Sequence, residues 1–272
     1  MNAPINARYF PGRFLAALIL AAAAIGQSPP STLTIKDIES YLASAAVVAV
    51  EKDVESGRTM PWRVTLDDGR TQARALFKYI DRPTDQPTRH SYRYELAAYA
   101  LSRLLELEII PPVVEREIEG MTGSLQWYAE NCRSERDRER LREEPPNLPD
   151  FLDRLTDVQI FEALVADDCG DKDDTLIHRD TWKVCRVDFS GAFRPAPAIA
   201  PSCILQRCSR RLFRHLEMLT LSELTERLQR ILHPDEITAL FERKQQITGI
   251  FQGLIKEKGE AAVLFESKTP EH

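Results

Sequence analysis

The sequence predicts an α+β protein in two lobes: a small antiparallel β lobe carrying one helix, then a mainly helical lobe. Three observations predict it. Short β-rich runs crowd the first half, around turn signals at Asp68-Gly69 and Gly120. One stretch of helical spacing, Tyr92 to Leu105, interrupts them, with Leu96, Tyr99, Ala100 and Leu104 on one face. Beyond residue 150, longer helical stretches dominate. A chain of 272 residues, 43% hydrophobic and 29% charged, can bury a sizeable core.

The N-terminal stretch differs in kind. It holds Arg8 and Arg13 and no acid, then an apolar run from Phe14 to Ile25, then Ala24-Ile25-Gly26 with small residues where a cleavage site needs them. This pattern predicts a signal peptide over 1–26. The run is shorter than the about 20 residues of a membrane span, so membrane contact is expected only where the peptide stays uncleaved as an anchor. The expected location is periplasmic or secreted. The net charge of -6 argues against a nucleic-acid partner.

The mature chain opens with a polar linker around Pro29 to Ser31. TIKDIESYLASA reads as a helix and AVVAVEKDV (Ala46 to Val54) as a strand, followed by a turn at Glu55-Ser56-Gly57. WRVTLDDGRTQARALFKYI reads as a hairpin. Pro111-Pro112 breaks the helical pattern that follows, and Val113 to Glu130 reads as a second hairpin. Five basic and five acidic side chains between Arg133 and Glu144 read as a solvated helix or linker. The expected division is therefore a β-rich lobe over 27–132, a linker over 133–150 and a helical lobe over 151–272. In that last lobe Phe151 to Ala166 is amphipathic, and TLIH and KVCRVDF are short β-like runs. Thr220 and Glu223 form a capping-box pattern, and Pro234 opens the last long helix.

Outside the cytoplasm, the five cysteines are free to form disulfides. Cys203 and Cys208 are close enough in sequence to pair. The odd count leaves at least one thiol over, and pairing among Cys132, Cys169, Cys185, Cys203 and Cys208 stays open. No CxxC pair occurs and the histidines are scattered, so zinc is not expected.

Four stretches carry chemistry: ALFKYID with Lys78, YRYELAAYAL with Glu95, VCRVDFSGAF with Asp188, and LVADDCGDKDDTLI with five aspartates in eight residues. Their types and order resemble an atypical branch of the kinase-like superfamily, which includes phosphatidylinositol-kinase-like proteins, bacterial toxin-type serine kinases and secretory-pathway kinases. VDFSGAF is similar to the IDHxxAF form that such proteins use in place of DFG. The resemblance implies ATP in a cleft between two lobes, with Mg²⁺ or Mn²⁺ on its phosphates. It places Lys78 at the phosphates, Glu95 as its partner, Asp188 on the metal and a hinge at Trp127 to Glu130. Trp127 and Gly57, the lone glycine between the first two strands, are then candidate nucleotide contacts.

Aligned without gaps on the LIxNxDRxxxNxLI loop of such relatives, Asp167 falls on the first Asn, Cys169 on the catalytic Asp and Asp174 on the metal-binding Asn. A thiol is a poor substitute for the carboxylate that accepts the attacking hydroxyl's proton, and nearby aspartates disfavour its thiolate. Shifted registers make Asp171 or Asp168 the base. The resemblance thus implies an ATP- and metal-binding pseudokinase. The alternative is an active divergent kinase acting on a protein, lipid-headgroup or sugar hydroxyl. A third reading is a structural or binding module without nucleotide.

Overall fold

The computed structural model describes residues 33–52, 59–82 and 90–266. The expected signal peptide and the Glu55-Ser56-Gly57 turn, with the candidate Gly57, lie outside the described residues.

The first lobe is a five-stranded antiparallel sheet in the order β1-β2-β3-β7-β6. Its strands are β1 (Ala46–Glu51), β2 (Trp62–Asp67), β3 (Gln72–Lys78), β6 (Val113–Ile118) and β7 (Met121–Trp127). The two expected hairpins are present. The β6–β7 connection is Glu119-Gly120, both at positive φ (51° and 76°), which matches the right-handed twist of a tight hairpin. Strand alternation gives the sheet two faces. Trp62, Val64, Leu66, Ala75, Phe77 and Leu125 share one face and form a core with Tyr41 and Leu42 of α1 (Ile35–Ser44). Thr34 and Asp37 build a reciprocal capping box at the start of α1. At its end Arg116 donates to the carbonyls of Leu42 and Ala45, both at 2.7 Å. The opposite face carries Arg63, Arg74, Leu76, Lys78, Ser124 and Gln126, by their cross-strand pairing.

The helix α2 (Tyr92–Leu104) packs against β6 and β7 after the short pair β4 (Asp81–Arg82) and β5 (His90–Ser91). Ser91 caps it by accepting from Arg93 N.

The second lobe begins with β8 (Cys132–Ser134), the outer strand of a small sheet ordered β10-β9-β8, with β9 (Thr175–His178) and β10 (Val184–Arg186). The stretch 133–150, expected as a linker, contains the rest of β8 and the helix α3 (Glu135–Leu141). Arg133 and Glu135 there are buried, so the mixed charges act as internal ion pairs as well as solvated groups. The remaining helices are α4 (Leu148–Val165), α5 (Arg210–Met218), α6 (Leu221–Leu228), α7 (Pro234–Lys258) and α8 (Glu260–Val263). The expected capping box at Thr220 and the proline at the start of α7 are both present. A short parallel pair joins β11 (Cys208–Ser209) to β12 (Leu264–Phe265). Phe161, Leu164, Phe189, Phe193, Leu240 and Phe251 lie in the larger core, which extends up to Tyr94, Ala97 and Leu101 of α2.

Gly123 in β7 has no room for a side chain. A Cβ there would lie 2.3 Å from the carbonyl oxygen of Lys78 and 2.8 Å from the ring of Phe77. Backbone cannot yield as a flexible side chain can, so Gly123→Ala is expected to cost about 1–3 kcal/mol. Urea unfolding of the variant beside the wild type measures it; an unchanged midpoint would mean that β3 and β7 are not packed this closely.

Candidate functional site

A lysine on the second sheet face would leave an ammonium buried, and the chain supplies its counter-charges from two distant segments. Lys78 Nζ lies 2.7 Å from Glu95 Oε1 of α2 and 2.7 Å from Asp188 Oδ1, just beyond β10. Lys78 and Glu95 are only 5% and 2% exposed. Burial disfavours the ammonium, but the two carboxylates outweigh that and hold it protonated. Asp188 is depressed below the usual carboxylate range: its own burial opposes this, and Lys78 and the Ser190 hydroxyl overcome it. Burial raises Glu95 against the pull of Lys78. The same Glu95 oxygen accepts from Phe189 N at 3.1 Å, and Ser190 Oγ donates to Asp188 Oδ1 at 2.7 Å. Asp188 takes φ +60°, a left-handed turn that aspartate tolerates better than most residues. Ser91 N, at the cap of α2, donates to the Ser190 carbonyl. The segment after β10 is thus fastened to α2 by both side chain and backbone.

Below this triad sits a second buried cation that the sequence reading missed. Arg186 is 1% exposed. Its Nε lies 2.7 Å from Glu162 Oε1, and its two terminal nitrogens lie 2.8 Å from Asp167 Oδ2 and 3.5 Å from Asp174 Oδ2. It also donates to the Val187 carbonyl. Burial pushes Asp167 and Asp174 up to about 7 each, against the pull of Arg186. The signal was an arginine in a β-run whose neighbours Val184 and Val187 are apolar, a setting that points its side chain inward or demands partners.

Cys169 forms a disulfide with Cys203. Of the pairings the sequence left open, the one between the near neighbours Cys203 and Cys208 is not formed. Cys208 begins β11 with its backbone held against Leu264 and its side chain fully buried. Cys203, only 9% exposed, instead meets the acidic loop, with 5.2 Å between the Cα atoms. A sulfur in a disulfide has no proton to exchange, so Cys169 carries no base in this state. Asp168 points to solvent with its side chain 82% exposed and pairs with Arg194 at 2.7 Å. Asp171 is half-buried, and its Oδ1 accepts from Asp173 N at 2.9 Å. Cys132 and Cys185 keep free thiols, and Cys132 Sγ donates to the Glu130 carbonyl at 3.2 Å.

Trp127 is a second correction. Its cross-strand partner is Ala75, which puts it on the α1 face, opposite Lys78. There it meets Tyr41 edge-on at 5.8 Å. It also lines a cavity of about 530 Å³ behind the hinge, whose walls include Tyr128, Cys132 and Cys185 but neither Lys78 nor Asp188. The residue facing the cleft is its neighbour Gln126, paired with Leu76. Gln126 is 6% exposed and its Nε2 has no partner; Glu95 Oε2 is likewise buried and unpartnered. Tyr128 closes the edge of this face, with the Arg63 and Arg74 guanidiniums 5.6 and 4.7 Å from its ring centre.

The raised carboxyls have a pH consequence. An acid near 7 in the fold and 3.8 in the open chain is protonated in the fold while already ionised in the unfolded chain. The fold therefore loses stability as pH rises between those values. Asp174→Asn is expected to flatten the fall in stability between pH 5 and pH 8, measured by urea unfolding at each pH. Parallel curves for variant and wild type would show that Asp174 ionises normally.

No protein-family model and no curated protein matches the chain. Among solved structures, a hydra Fam20 solved with sugar is similar, with a TM-score of 0.62 and 18% identity over 86% of this chain and 93% of that one. A Helicobacter pylori proinflammatory kinase, CtkA, aligns with a TM-score of 0.45 and 8% identity over 73% of this chain and 91% of its own. The likeness to the hydra protein, set beside the antiparallel sheet and helical second lobe, gives this chain a kinase-like fold.

Proposed function

We propose that the chain is an extracytoplasmic kinase-like protein that binds ATP with a divalent cation in the cleft between its lobes and is impaired in phosphate transfer. The observation that carries the impairment is the disulfide at Cys169, the position aligned with the catalytic aspartate. Loss of a general base costs about 10²- to 10⁴-fold in rate. Neither neighbouring acid is placed to replace it without rearrangement. Asp168 is turned to solvent, and Asp171 is engaged with the loop backbone.

Support for a nucleotide comes from the cleft face. A buried ammonium held by two carboxylates offers a fixed positive charge to phosphate oxygens. The unpartnered Gln126 Nε2 suits a base that presents an acceptor. Asp188 fits a metal carried on the phosphates. Its side chain is 41% exposed, and only Oδ1 is engaged by Lys78 and Ser190. Magnesium or manganese there supplies neutralisation of phosphate charge. A disulfide supports an oxidising compartment, and among the described residues no helix is long and apolar enough to cross a membrane.

Thermal unfolding of the mature chain with ATP and Mg²⁺ or Mn²⁺ tests the binding. At 100 times the dissociation constant, ATP is expected to add about 2.7 kcal/mol, and Lys78→Ala and Asp188→Ala are expected to abolish the gain. An equal shift in both variants would move the site elsewhere. For catalysis, loss of the ATP γ-phosphate is expected to be slow in the wild type and faster in Cys169→Asp combined with Cys203→Ser. A fast wild-type reaction that disappears in Asp171→Asn would instead establish an active kinase with Asp171 as its base.

A further inference from the structure

We propose that Arg186 takes the place of a second divalent cation, so that the cleft holds its nucleotide with one metal ion. This inference rests on the nucleotide reading above. In the protein-kinase arrangement two cations accompany the nucleotide, one on the aspartate equivalent to Asp188 and one on the residue equivalent to Asp174. Both positions have one carboxylate oxygen beside a buried cation, but at Asp174 that cation is Arg186, a fixed charge additional to the lysine that the two-metal arrangement already includes.

Asp188 turns an open side chain and a free oxygen to the cleft. Asp174 faces a guanidinium that cannot swing away. Arg186 is enclosed, each of its three nitrogens is engaged, and two of its partners, Glu162 and Asp167, are themselves largely buried. The backbone fixes the juxtaposition as well, because Val187 N donates to the Asp174 carbonyl at 3.0 Å. A dication on Asp174 would lie within a few ångströms of this fixed positive charge, which the 1% exposed Arg186 cannot carry out into solvent. Moving Arg186 aside would strand Glu162 and Asp167 without a counter-ion. Asp174 therefore does not fit as a ligand for a second cation. Among the described residues no three acids, histidines or cysteines converge as a metal cage. A single ion on Asp188 would complete its shell from phosphate oxygens and water.

The test is Mn²⁺ binding to the mature chain, followed by electron paramagnetic resonance in the presence of a non-hydrolysable ATP analogue, beside thermal unfolding with the analogue alone. One Mn²⁺ per chain is expected. Asp174→Ala, which removes every ligand oxygen of that side chain, is expected to retain it with unchanged affinity, and Asp188→Ala to lose it. Arg186→Met, if folded, is expected to admit a second ion. Two Mn²⁺ in the wild type, or loss of Mn²⁺ in Asp174→Ala, would overturn the proposal. Asp174→Ala decides the matter even where Arg186→Met fails to fold. If the analogue neither raises the unfolding midpoint nor recruits Mn²⁺, the nucleotide reading itself falls, an outcome distinct from a wrong ion count.

Discussion

A lysine ammonium inside a protein persists only if carboxylates meet it there, and the architecture around Lys78 follows from that demand. One counter-charge comes from Glu95 on α2, the other from Asp188 beyond β10, 110 residues along the chain. Removing one member of such a buried set typically costs about 3–5 kcal/mol, because the charge left behind has no solvent. To bring both acids to one atom, α2 must lie at a fixed angle to the sheet and Asp188 must turn through a left-handed conformation. The capping of α2 by Ser91 and the bond from Ser91 N to the Ser190 carbonyl hold those two requirements together. The two lobes are therefore joined by electrostatics at the cleft as well as by the hinge.

A second charge system lies beneath the first and is less well balanced. Arg186 faces three carboxylates, and burial lifts two of them to about 7, so that each is only partly ionised at neutral pH. The disulfide beside it encloses a loop with a sequence separation of 34 that contains Asp174, Arg186 and Asp188. Closing a loop of that length restrains the unfolded chain by roughly 3–4 kcal/mol in the chain-entropy model. The bond from Cys169 to Cys203 thus helps to keep an acid-rich segment folded.

Much of this was legible in the sequence, and the limits have identifiable causes. Lys78, Glu95 and Asp188 were readable because each combines a charged type with a place at the end of a strand or on a helix, in a fixed order. The hairpins were readable from Asp68-Gly69 and Gly120. Trp127 was placed on the wrong face because strand parity decides orientation: one residue separates it from Gln126, and only pairing with Leu76 shows which side faces Lys78. Arg186 was passed over because a strand of three residues is too short to display a period. The Cys169–Cys203 bond joins positions whose nearness depends on how the acidic loop returns past α4, which no local pattern encodes. Cys208 was the nearer partner along the chain, but the sheet with β12 holds it elsewhere.

Arg243 of α7 is fully buried and donates to the carbonyls of Leu164, Arg194 and Ala196. Those carbonyls belong to the end of α4, just before the acidic loop, and to the segment just after Asp188. The floor of the cleft is thus clamped by a side chain made long after the residues it clamps. On a ribosome, or in a chain threading through a translocation pore, everything from Leu164 to Ala196 must wait for α7 before these carbonyls find their donor.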